Sequence, residues 1–532
     1  MIRPRQFEAR QYPSPPTVGG VATNTCLDAT LDAVSRPRTG PAPIALGRGT
    51  LSCEQVALIA TERWGVRLAA DALPRPVANH AAAVELATRT PVYGRSTAVG
   101  ALLAESVGDP EGAAEQLLRS HAGTAGNPLP NAAVRAMVAV RIEQIAAGAS
   151  GLGAATVLAL VDGLNDDRMP VIGRYHSVGT GDITALARLG LTLPAGSLDP
   201  GDAMALMSSN ALSLGRGCLA VIDLERLLGA AVVVTALSFL ARDGAAGALL
   251  AAAAGPFPGP QRVARALRRL CPGDAPAGRL QDQYGLRAAP QTLGIAFDAA
   301  AALRSTVTLL SNAAAENPLI QTGPPAAAIH HGGFHAVHLT AALDAAVLAL
   351  ARAMTGSRNR TAILLEPVPA TASNGPVGRA FLAAGPPTAS GLMVGEYVAS
   401  AALAAIRAAA VPAGLQTAEL SRGVEQDAGF APQSVTQLEE ALAASRVVAA
   451  VELVAAVRSV RMRRIIMPVA LRPVWELCGL LPVDLADRDL TDDLQLAEEI
   501  LPRLAAFAGT SGDDEADPAP GRPPHLTEDS TP

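Results

Sequence analysis

SVTQLEEALAASRVVAAVELVAAVRSV, residues 434–460, decides the fold. Ser434 and Gln437 have the spacing of a capping box, so the reading starts a helix there. From there the stretch is apolar around most of its circumference. A surface helix keeps one polar face, so this pattern belongs inside a bundle. Residues 208–241 and 390–410 read the same way. PNAAVRAMVAVRIEQIAAG (130–148) adds a further helix, with Pro130 and Asn131 at its start and Gly148 to close it. Strand signals are few and short. The expectation is a mainly α protein with a long central helical bundle and a smaller N-terminal domain that contains loops.

The 532 residues are 49% hydrophobic with only 3% aromatic, a balance rich in helix formers. All 42 lysine-plus-arginine positions are arginine, because no lysine occurs. That excludes a lysine Schiff base, hence pyridoxal phosphate, and a phosphate-loop lysine. The net charge of -6 gives nucleic acid no footing. Cys26, Cys53, Cys218, Cys271 and Cys478 lie far apart, as in a reduced cytoplasmic protein. The N-terminus has no apolar signal core. The run LLGAAVVVTALSFLA (227–241) is shorter than a ~20-residue span and reads as a buried core helix. The organisation expected is a disordered tail over 1–42, an N-terminal domain over 43–200, a helical bundle over 201–507 and a disordered acidic tail over 508–532.

RYHSVGTGDITALARLG (174–190) sets a glycine-flanked hydroxyl between apolar segments. Four further stretches stand with it: VYGRSTAVG (92–100), LQDQYGLRAAPQTLG (280–294), NAAAENPL with HHGGFHAVHL (312–319 and 330–339), and SGLMVGEYVASAALAAIR with VEQDAGF (390–407 and 424–430).

In this order and approximate spacing, the five stretches resemble the aromatic amino acid ammonia-lyases, which include histidine, phenylalanine and tyrosine ammonia-lyases and aminomutases. The resemblance spans roughly 43–440, and QDxYxLRxxPQxxG is its most specific piece. It implies the family's fold and a lyase that removes an amine or an analogous group from an amino-acid-like substrate; the shortened loop and the missing carboxylate point to specialised metabolism. It also implies a cytoplasmic homotetramer with sites lined by more than one subunit, and neither metal, nucleic acid nor membrane as partner. Its electrophile is a methylidene-imidazolone ring made from an Ala-Ser-Gly triplet. Here the motif is one residue shorter, and Gly179, Thr180 and Gly181 take that place, anchored on Asp182. Two outcomes stay open: a threonine-derived ring carrying an extra methyl, or no ring.

Residue by residue, Tyr93 matches the loop tyrosine that acts as base, and Tyr284 a tyrosine beside the ring. Arg287 matches the arginine that pairs with the substrate carboxylate, a task suited to a planar fork. Gln281 matches a hydrogen-bonding glutamine and Phe334 an aromatic near the ring. Ser120 and His121 match a selectivity pair in its histidine-enzyme form, whereas Gln426 with Asp427 matches the phenylalanine and tyrosine enzymes. Ser208 stands where the family has an asparagine, with Asn210 as a substitute two residues on. Ala405 replaces a glutamate. His330, His331, His335 and His338 are dense, but the Gly332-Gly333 pair argues against a helical metal pair. The alternatives are a lyase on this scaffold without the ring, and a non-catalytic paralogue serving as scaffold or regulator.

Overall fold

The 211–241 helix is buried on nearly every face, as the apolar run over its 227–241 half requires. It packs against the helices at 131–146, 289–311 and 431–463, and the last of these also packs on 337–365 and 393–409. This is a computed structural model, and it describes residues 42–107, 112–272, 279–371 and 374–509. The tails expected over 1–42 and 508–532 fall almost wholly outside the described residues. The chain from Pro43 onward forms one compact unit.

Glycine sets the closest crossing. A Cβ on Gly215 would lie 2.7 Å from the Ala136 carbonyl carbon and 2.8 Å from Met137 N. The 131–146 and 211–241 helices therefore meet backbone to backbone. Strands among the described residues are three short pairs: 44–46 parallel to 66–68, with Ile44 opposite Val66, and the antiparallel pairs 125–128 with 173–175 and 319–321 with 327–329.

The capping box expected at Ser434 and Gln437 does not form. The helix begins at Ala431, after Phe430 in a left-handed conformation, with Pro432 in its first turn. Proline suits that position because it has no N–H to satisfy. The Ser434 hydroxyl donates instead to Asp344 on the 337–365 helix, and Gln437 Nε2 donates to Val411 O at 2.9 Å. Tertiary partners outcompeted the local cap.

A buried ion pair joins two of the long helices. Arg360 Nε donates to Glu452 Oε1 at 2.6 Å, and the Ser238 and Ser357 hydroxyls donate to the same carboxylate at 2.7 and 2.5 Å. Removing one partner strands the other charge in the core. Glu452→Ala is therefore expected to lower unfolding free energy by about 3–5 kcal/mol. Chemical denaturation checks this, and a loss within error of zero would contradict it.

Candidate active site

The Gly179-Thr180-Gly181 triplet forms a tight turn. Gly179 has φ +96 and Gly181 φ +104, conformations glycine adopts without steric cost. One hydroxyl closes the turn: Ser177 Oγ accepts from Gly179 N at 3.0 Å and donates to Gly181 O at 2.7 Å. A Cβ on Gly179 would sit 2.7 Å from Phe430 N. The shortened loop therefore has no room for the alanine of the family's triplet. Both glycines are buried and Thr180 is half-buried.

Three long helices begin around this turn. Phe430 N donates to Val178 O at 2.7 Å just before the 431–463 helix, and Asp182 N donates to Ser209 O at 2.7 Å just before the 211–241 helix. Gly429 lies between Gly179 and Ala336, at the start of the 337–365 helix. Helix N-termini carry partial positive charge, so the turn sits where negative charge is stabilised. The Asp182 carboxylate accepts from Ser213 N at 2.7 Å and Ser213 Oγ at 3.1 Å. Burial nevertheless pushes its pKa up.

Ser208 and Asn210 do not lie on a helix, as the sequence reading assumed. They occupy the break between the 202–207 and 211–241 helices. Ser208 Oγ accepts from Asn317 N at 2.8 Å. Asn210 Nδ2 donates to the Phe334 carbonyl, and its buried Oδ1 has no partner. Asn210 is thus the amide held beside the Phe334 turn. His331 pins that turn through Nε2 to Glu316 O at 2.6 Å and Nδ1 to Gly333 N at 2.9 Å.

The Tyr93 loop packs over this region. Tyr93 Oη accepts from Gly100 N at 2.7 Å, and its ring meets His330 edge-on at 6.3 Å. Ala101 N donates to Ser421 Oγ at 2.8 Å, which brings in the loop that carries exposed Gln426. Burial first, and then the Glu425 carboxylate, raise the Tyr93 pKa above its ordinary value. Arg95 anchors the loop to Gly151 O at 2.6 Å and to Asp202 at 3.4 Å, in a cluster with His80 and Asp199. Beside it lies a cavity of about 540 Å³ lined by Gly94, Ser120, His121, Gly201 and Ala203. Ser120 Oγ and His121 Nδ1 are 2.9 Å apart.

Gln281, Tyr284 and Arg287 are elsewhere in the same chain. Gly285 abuts Asn359, Arg360 and Ile363, near the far end of the 337–365 helix. The triplet adjoins the near end, so about 23 residues at 1.5 Å each put roughly 35 Å between them. Gln281 is exposed, Tyr284 is 72% exposed, and the Arg287 guanidinium carbon stacks 4.4 Å over the Tyr284 ring. Arg287 Nε is buried without a partner. Sequence reasoning gave no site role to His176, Glu425 or Glu316, and weighed His330 only as a metal ligand. His176 lay in plain view beside the triplet, Glu425 beside Gln426, and Glu316 inside the 312–319 stretch.

Comparison with known proteins bears on the fold and the family. The family model for aromatic amino acid lyase matches residues 51–197 and 192–471. Histidine ammonia-lyase of Sorangium cellulosum is 30% identical over 87% of this chain and 98% of its own length. That of Deinococcus radiodurans is 29% identical over 82% and 89%. Tyrosine aminomutase from Streptomyces globisporus superposes with a TM-score of 0.78 at 23% identity, covering 88% of this chain and 98% of that one. Ergothionase from Treponema denticola, an ergothioneine-degrading enzyme, gives 0.78 at 20% identity, covering 88% and 99%. The helical fold is that of these lyases and aminomutases. With the family model spanning most of 51–471, the chain belongs to the aromatic amino acid lyase family and is a carbon–nitrogen lyase or aminomutase.

Proposed function

We propose that the protein removes or relocates the amine of an aromatic amino-acid substrate, at a site shared between copies of a cytoplasmic homotetramer, with a ring built from Gly179, Thr180 and Gly181. The observation that carries this reading is the closed turn, in which the Ser177 hydroxyl bridges residues 179 and 181. It presents the triplet compactly enough for a backbone ring. Such a ring would supply an electrophile for the substrate amine. Tyr93 then takes the proton from the neighbouring carbon, and Arg287 of a second copy holds the carboxylate with its two-pronged guanidinium. Asn210 Oδ1 accepts a hydrogen bond from the substrate. His121 and Ser120 face the side chain from the adjoining cavity, which suits an imidazole or other polar aromatic ring.

The exposed apolar surface supports the assembly. The 284–311, 337–365 and 393–415 segments are long and apolar enough to cross a membrane, and only 22% of the most apolar window in the last is buried within one chain. Contiguous apolar faces of this kind suit burial against identical subunits.

A second reading keeps Tyr93 and Arg287 but dispenses with the ring, acting on a substrate whose amine is already a good leaving group. Thr180 in place of serine, and the tight approach of Gly179 to Phe430, favour it. Intact mass decides between them. The first reading expects wild-type protein two water molecules lighter than its sequence and Thr180→Ala protein without the elimination loss. A wild-type mass equal to the sequence mass would leave only the second.

A further inference from the structure

Behind the triplet lies a buried polar cluster that the proposed reaction does not use. The His176 side chain is fully buried, and neither ring nitrogen has a hydrogen-bond partner. Its Nδ1 stands 3.9 Å from Asp182 Oδ1. Arg216, on the 211–241 helix, keeps NH1 unpartnered while NH2 donates to Thr436 Oγ1 at 2.7 Å and Nε to Glu439 at 3.0 Å. Gln433 donates to Ser177 O at 2.8 Å, and its Oε1 is unpartnered. Leaving so many polar atoms buried and unpaired is costly, and such groups call for an explanation.

We propose that His176, acting through Asp182, moves the protons that ring closure in the triplet releases; this rests on the ring reading above. The balance is specific. A bond forms between Gly181 N and the Gly179 carbonyl carbon. The carbonyl oxygen leaves as water with the protons of Gly181 N and Thr180 N. Thr180 then loses its Cα proton and its hydroxyl as a second water, leaving a carbon–carbon double bond. No oxidant or reductant enters. Each step moves a proton off the chain and onto a departing oxygen. Asp182 is bonded to Gly181, and His176 lies next to it, out of contact with solvent. His176 is therefore a positioning residue, one step removed from the reacting atoms. Burial, and to a lesser degree Arg216, lower its pKa, so the neutral base is present at neutral pH. The charged groups facing it are Asp182 and Arg216, the latter neutralised by Glu439.

The test follows intact mass with time in freshly synthesised full-length protein, divided across a pH series. Wild type is expected to lose its two waters faster as pH rises, levelling off below the ordinary histidine range. His176→Gln is expected to slow the loss about tenfold or more and to flatten that profile. Asp182→Asn should do the same, and a melting curve of each variant shows whether it has folded. A wild-type rate independent of pH would overturn the proposal without reference to any variant. Variants that mature at the wild-type rate with the wild-type profile would overturn it while leaving the ring reading intact. A wild type that never loses water overturns both.

Discussion

Tyr93→Phe is expected to lower kcat by about 10²–10⁴-fold, the usual contribution of a positioned general base. Phenylalanine keeps the ring and its edge-on contact with His330, so the fold and the loop should survive. What is lost is the phenol oxygen proposed to take the proton. The same group fixes the pH dependence. Burial and Glu425 both favour the neutral phenol, so the deprotonated base is scarce at neutral pH. Activity should therefore climb with pH through the alkaline range and level off only above the ordinary tyrosine pKa of about 10. Glu425→Gln removes a repelling carboxylate and should move that limb to lower pH. A pH–rate profile that is flat on the alkaline side, or a Tyr93→Phe enzyme with kcat near wild type, would assign the base to another residue.

Mixing two dead variants should restore activity. Tyr93 sits at the near end of the 337–365 helix and Arg287 near its far end, roughly 35 Å away. No single chain can bring both to one substrate. Tyr93→Phe and Arg287→Ala proteins should each be nearly inactive as homo-oligomers. Co-expressed, random assortment gives about a quarter of the sites both native residues. Recovery near that fraction in purified mixed assemblies is the expected result. Zero recovery would mean that the two residues serve one site from one chain, or that Arg287 is structural. A monomer by light scattering would remove the shared site altogether.

The sequence made the bundle legible because its longest helices are apolar around most of their circumference. Residues 227–241 carry no charged side chain, and so apolar a helical run has few other homes. Helix starts were less legible. The Ser434 pattern matched a local cap, yet that hydroxyl has a tertiary partner in Asp344, which no local pattern encodes. The triplet was legible as a turn because only glycine tolerates its backbone angles cheaply. The placement of Arg287 was not, because motif order along a chain says nothing of how far apart the fold sets the motifs. The placement of Asn210 needed the break between two helices, which a helical reading of 208–241 did not show. His176 was invisible as chemistry, since its significance is burial without a hydrogen-bond partner, which is not written in a sequence.

The 337–365 helix acts as a measuring rod. One of its ends abuts the turn of the triplet, and the other bears the Gly285 segment with Tyr284 and Arg287. Inserting one residue would lengthen the rod by about 1.5 Å and rotate everything beyond it by roughly 100°. The Tyr284 and Arg287 segment would then turn away from its present direction, although every contact at the triplet stayed as it is. The interior of this helix should therefore tolerate substitution far better than insertion.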